Sequence, residues 1–216
     1  MLHTTHIVET RTHGRYLVER PQGPGPFPVL VGFHGYAESG ERMLDALVRL
    51  RAERPWLLVS IQALNRFYNR ANDAVVASWM TRQDREHAIA DNIAYVRSAL
   101  SAIRGEFPIS EVLAYAGFSQ GVAMAYRAAA FAGWASSGVI VLAGDVPPDV
   151  APCIASLPPV LIGRGTTDHW YTAEKAAADL ETFAGAGVTP ALHVFEGGHV
   201  WDETFIARAA VFLDAL

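Results

Sequence analysis

The segment Val112-Leu113-Ala114-Tyr115-Ala116-Gly117-Phe118-Ser119-Gln120-Gly121 decides the fold. Its five leading apolar residues read as a buried strand, and the Gly-x-Ser-x-Gly run after them reads as a very tight strand-to-helix turn. Glycines are needed on both sides of that turn because side chains there would collide with the adjoining strand and helix. The serine is then held at the top of a sheet with its hydroxyl exposed, and the next helix points its N-terminus toward it.

Strand-like and helix-like segments alternate on both sides of this turn, the pattern of a parallel sheet with helices on its faces. Val29–Phe33, Leu57–Ile61, Val139–Leu142, Val160–Ile162 and Ala191–Phe195 read as strands. Helices are expected over residues 41–54 with Ser39 as N-cap, over 120–132, 173–183 and 203–216, and through the stripe Ile89, Ile93, Val96, Leu100, Ile103. Ile7–Thr10 and Arg15–Glu19 read as a short antiparallel hairpin around His13-Gly14, and residues 64–81 as a long connection of the functional kind. The expectation is one α/β domain spanning residues 1–216, a three-layer sandwich whose sheet is mostly parallel. Only about fifteen residues lie between Gly144 and Val160, too few for a large cap or lid.

Composition bounds the function. With 216 residues, 51% apolar and 18% charged, the chain can bury a substantial core. A formal charge of -5 leaves no electrostatic footprint for nucleic acid. No apolar stretch approaches the roughly 20 residues that span a bilayer. The start, Met1 to His6, lacks the features of a signal peptide, and a lone Cys153 excludes an internal disulfide, so a cytoplasmic location is the default expectation. Oligomeric state stays open, a homodimer included.

A serine hydroxyl needs a base, and the base needs a carboxylate to fix its tautomer. Asp168, just past Val160–Ile162, and His199, after Gly197-Gly198 and just past Ala191–Phe195, sit at successive strand ends in the order Ser, acid, His. Asp145 is the runner-up acid. The oxyanion donors are assigned to the N–H groups of Gln120 and Tyr36, with the His34 side chain bracing that loop. His3, His6, His13, His87, His169 and His193 are read as structural or exposed. No metal-ligating cluster and no cofactor are expected.

With these residues assembled, the chain resembles the α/β-hydrolase superfamily, and within it the small lidless carboxylesterase, phospholipase and acyl-protein thioesterase group. The matching segments are Phe33-His34-Gly35, Gly117–Gly121, Gly165-Thr166-Thr167-Asp168, Gly198-His199 and Ser78-Trp79. Two departures stand out: Val122 where the group has a second glycine, and Tyr36-Ala37-Glu38 where it reads x-G-D. The resemblance implies hydrolysis of a small-molecule ester or thioester through an acyl-enzyme. Another acyl reaction on the same residues, or a binding protein on the same fold, is the alternative. Trp79, Trp170 and Trp201 are either walls of an open pocket or ordinary buried aromatics, and Arg66 and Arg70 are read as solvated rather than as contacts for an anionic group of the substrate.

Overall fold

The computed structural model describes residues 2–51 and 54–216; Met1, Ala52 and Glu53 lie outside the described residues. In chain order the elements are β1 (Arg15–Glu19), β2 (Phe27–Phe33), α1 (Gly40–Leu50), β3 (Leu57–Gln62), β4 (Asn65–Tyr68), β5 (Val75–Ser78), α2 (Arg85–Glu106) and β6 (Ile109–Phe118). Then come α3 (Gln120–Phe131), β7 (Gly138–Leu142), a 3₁₀ helix (Ala151–Ser156), β8 (Val160–Gly165), α4 (Ala173–Gly185), β9 (Ala191–Phe195) and α5 (Glu203–Asp214). The seven-stranded sheet runs β1-β3-β2-β6-β7-β8-β9. Every pairing in it is parallel except that of β1 with β3.

Side chains alternate along a strand, so one sheet feeds two cores. Val29, Val31 and Phe33 join Val59, Tyr115 and Val141 on one face, where Val96, Leu100, Tyr126 and Phe183 bring in α2, α3 and α4. Leu30 joins Leu58, Ala116 and Ile140 on the other, where Met43, Leu47, Phe205 and Leu213 bring in α1 and α5. Strands buried on both faces read as continuous apolar runs, which is why they were conspicuous in the sequence. The result is the three-layer α/β/α sandwich with a mostly parallel sheet. No described helix is long and apolar enough to cross a membrane.

Two local expectations need correction, and a third gains detail. Residues 7–10 form no strand, and β1 takes its antiparallel partner from β3, with Arg15 opposite Gln62 and Glu19 opposite Leu58. The antiparallel edge is therefore real, but it is a long-range pairing that a local hairpin reading cannot see. Helix α1 ends at Leu50, with the Arg51 N–H on Leu47 O, and its expected last turn runs through residues 52 and 53, outside the described residues. Residues 64–81 contain the hairpin β4–β5, whose register sets Asn65 opposite Ser78 and Tyr68 opposite Val75. Ser39 caps α1 as expected, its side chain accepting from the Arg42 N–H.

Truncating Leu47, fully buried between α1 and the sheet, tests this layering. In a urea titration Leu47→Ala should cost about 2–5 kcal/mol of stability. Val211→Ala, at a residue 58% exposed on the outer side of α5, should stay within about 0.5 kcal/mol.

Candidate active site

Ser119 sits between β6 and α3 with φ 52° and ψ −120°, a left-handed-side conformation that is rare for a residue with a side chain. Close packing enforces it. A Cβ on Gly121 would run into the carbonyls of Phe33 and His34, and one on Gly117 into the carbonyl of Gly121 and the Cα of Val122. The Ser119 N–H donates to Leu142 O at 2.9 Å, tying the turn to β7. Val122, one of the two departures noted in the sequence, is accommodated because Gly144 opposite it has no side chain; a Cβ there would lie 2.7 Å from Val122 Cβ.

The candidate acid Asp168 and candidate base His199 come from the loops after β8 and β9, which are stitched together. Thr166 N–H donates to Phe195 O at 2.9 Å and Thr167 N–H to Gly197 O at 2.8 Å. Asp168 Oδ1 accepts the N–H groups of Trp170 and Tyr171 at 2.8 and 3.0 Å, and Oδ2 pairs with His199 Nδ1 at 2.9 Å. Burial pushes the Asp168 carboxyl up, but those two amides and the imidazole together bring it below the ordinary carboxylate value. With Nδ1 engaged, Nε2 is the remaining nitrogen of His199. Its ring rests against Phe118, centroids 4.9 Å apart, and the residue borders the same cavity as Ser119, about 470 Å³ in volume.

The loop after β2 is fixed from several sides. Ala37 N–H donates to Ala77 O and Ala77 N–H to Glu38 O, so β5 holds the loop by its backbone. Gly35 N–H is taken by the Glu38 carboxylate at 2.8 Å. Among the described residues neither the Tyr36 N–H nor the Gln120 N–H has a hydrogen-bond partner. Buried His34 lies beneath: it donates from Nδ1 to Gly35 O at 2.7 Å and accepts the Ala63 N–H at Nε2 at 3.0 Å. Burial, opposed by the Gly35 hydrogen bond, lowers its pKa, consistent with a neutral ring that braces.

Of the three tryptophans, Trp201 borders the cavity with Ser119 and His199 and stacks near Phe118 at 5.5 Å. Trp170, 75% exposed, borders a second cavity of about 390 Å³ that also reaches Ser119. Trp79 is a correction: it is wholly buried and lines neither cavity, and its indole N–H instead donates to His34 O at 2.9 Å. Asp145 does not reach His199; it pairs with Lys175 at 3.3 Å. His3, His6, His13, His87 and His169 are exposed, and His193 makes its contact with Thr204. Among the described residues no group of three or more His, Cys, Asp or Glu could hold a metal ion.

Several supporting residues were missed in the sequence. The Gln120 side chain ties the elbow to the long connection, accepting the Trp79 N–H at 2.9 Å and donating to Met80 O at 2.9 Å. Asn92, buried in α2, donates to Trp79 O at 2.7 Å. Arg127 is fully buried in α3 and grips Asp149 through two bonds of 2.8 and 2.7 Å. A signal for Asn92 existed: it falls in phase with Val96, Ala99 and Ile103, the face of α2 that is buried.

No protein-family model matches the chain, and no curated protein matches it. Solved structures do match in fold. The acyl-protein thioesterase 2 of Zea mays aligns with a TM-score of 0.70 at 18% identity, over 94% of this chain and 99% of its own. The Bacillus cereus carboxylesterase aligns at 0.70 and 16%, over 94% of each chain. SOBER1 of Arabidopsis thaliana aligns at 0.71 and 20%, over 87% of this chain and 98% of its own. The likeness establishes the α/β-hydrolase fold, and the activities in those names are those proteins' own.

Because the Asp168 carboxyl is depressed in the folded state, its stabilisation is complete above the unfolded carboxylate value of about 3.9 and fades as pH falls through the lower folded one. The stability gap between wild type and Asp168→Asn, measured by urea titration, should therefore be constant near neutrality and shrink below about pH 4. A gap that widens on acidification would contradict the depressed Asp168 carboxyl.

Proposed function

We propose that this chain is a serine hydrolase that cleaves carboxylic esters or thioesters through an acyl-enzyme, working as a single α/β-hydrolase domain without a cap. One observation carries the reading. Ser119 and His199, the latter hydrogen-bonded to Asp168, border one cavity together with Tyr36, and among the described residues neither the Tyr36 N–H nor that of Gln120, next in the chain after Ser119, has a partner.

In this reading Ser119 Oγ attacks the acyl carbonyl while His199 Nε2 takes its proton. Asp168 Oδ2, accepting from Nδ1–H, holds the productive tautomer and stabilises the imidazolium. The carbonyl oxygen becomes an oxyanion between the N–H groups of Tyr36 and Gln120; such a donor typically contributes about 10²–10³ in turnover. Gln120 N–H also lies at the N-terminus of α3, where the helix dipole favours negative charge. His199 returns its proton to the departing alcohol or thiol. Water, deprotonated by the same imidazole, then attacks the acyl-enzyme, and the second collapse frees the acid and Ser119. No metal or cofactor is required for any of these proton transfers.

A fluorophosphonate probe should label the folded protein, and Ser119→Ala should abolish labelling. On para-nitrophenyl esters, Ser119→Ala and His199→Ala should each reduce kcat by about 10⁴-fold or more. Absence of labelling in protein shown to be folded would overturn the reading. Matched esters and thioesters of rising chain length would then fix the preference.

A further inference from the structure

Two cavities meet at Ser119, and they differ in charge. In the one shared with His199 the cations are neutralised: Arg42 pairs with Glu38 at 2.8 Å and Arg49 with Glu203 at 2.6 Å, with Asp45 also present. The opposite cavity, about 390 Å³, is bordered by Arg82, Arg85 and Lys175 against the single carboxylate of Asp145. Lys175 is taken by Asp145. Among the described residues neither guanidinium of Arg82 and Arg85 has an acidic partner within 4.0 Å. Asp149, whose carboxyl Arg85 helps to depress, already has both oxygens held by Arg127.

The backbone adds to this field. Three helices begin at that cavity: Arg85 is the first residue of α2, Gln120 the first of α3, and Lys175 the third of α4. A helix start carries partial positive charge and favours anions. Arg85 and Lys175 therefore stand where a cation is electrostatically unfavourable. The acids of the same first turns, Glu86 and Glu174, do not border the cavity. Moreover, Asp84, the N-cap of α2, makes no side-chain capping bond. Arg82 and Arg85 are exposed at these helix starts, and cations around one space with a single carboxylate among them make a setting that favours an anion.

We propose that this cavity seats an anionic group of the substrate, a carboxylate or phosphate held by Arg82 and Arg85, so that the preferred substrate is an ester or thioester carrying a negative charge on one side of the scissile bond. The inference rests on the reading of Ser119 as the nucleophile. The guanidinium groups supply paired donors to a planar or tetrahedral oxyanion. The first cavity, with Phe118, Val200 and Trp201, takes the uncharged remainder. Arg82 and Arg85 are specificity residues and take no part in the proton transfers.

Three matched pairs of substrates test it. Para-nitrophenyl hydrogen adipate against its terminal amide places the charge on the acyl side. Para-acetoxybenzoate against para-acetoxybenzamide places it on the leaving group. An acetylglycerol phosphate against acetylglycerol supplies phosphate instead of carboxylate. In at least one pair kcat/KM should favour the anionic member by about tenfold or more, the ratio falling about tenfold in Arg82→Gln/Arg85→Gln and shrinking with added salt. A ratio at or below one in all three pairs, or one unchanged in the double variant, overturns the proposal. Hydrolysis of the neutral members, lost in Ser119→Ala, reports separately on the hydrolase reading. Should turnover be absent altogether, the Tm of Ser119→Ala protein decides. A larger rise with an anionic member than with its neutral twin, lost when Arg82→Gln and Arg85→Gln are added, supports the site; equal shifts reject it.

Discussion

The start of α3 and the end of β2 approach so closely that no Cβ fits between them, and the rest of the site is arranged around that contact. Gly121 lies against the Phe33 and His34 carbonyls, Gly117 against Gly121 itself, and Gly144 against Ser119 O and Val122. The approach forces the turn into a positive φ at Ser119, a conformation that costs on the order of 1–3 kcal/mol and persists only where surroundings over-determine it. The same contact brings the loop after β2 beside the first amide of α3. One packing constraint thereby sets the exposure of Ser119 and brings the Tyr36 and Gln120 N–H groups near one another.

Behind that contact lies a buried polar scaffold. Trp79 donates to His34 O, His34 accepts from Ala63, Gln120 joins Ser78, Trp79 and Met80, and Asn92 donates to Trp79 O. A buried polar group left without a partner costs about 1–3 kcal/mol, so each member raises the cost of misplacing the others. The hairpin β4–β5 contributes through its backbone, with Ala77 gripping residues 37 and 38. The long connection thus supports the site from behind, and its last residues, Met80 and Thr81, border one of the two cavities that reach Ser119.

Much of this was legible in the sequence because it is local. Apolar runs mark strands buried on both faces, and tight turns demand glycines, so the elbow and the strand ends carrying Asp168 and His199 could be located. What escaped depends on long-range pairing. The partner of β1 lies 39 to 47 residues away in β3. Trp79 looks the same in sequence whether it lines a pocket or supports a loop, and only its indole bond to His34 O separates the two. The charge asymmetry around Ser119 was likewise invisible, since Arg82, Arg85 and Lys175 meet only when α2 and α4 are packed against the elbow.

The placement of the strands has one more consequence. Ser119 follows β6, in the middle of the sheet, whereas Asp168 and His199 follow β8 and β9, its last two strands. Among the described residues β9 is packed mainly by β8 and α5, and Leu192 and Val194 on it are partly open to solvent. Sheet margins open more readily than interiors. Warming should therefore separate the imidazole and its carboxylate from the hydroxyl while the central strands are still paired. Under the proposed function, thermal inactivation would then precede the melting of the sheet, leaving a folded molecule in which Ser119 and His199 have parted.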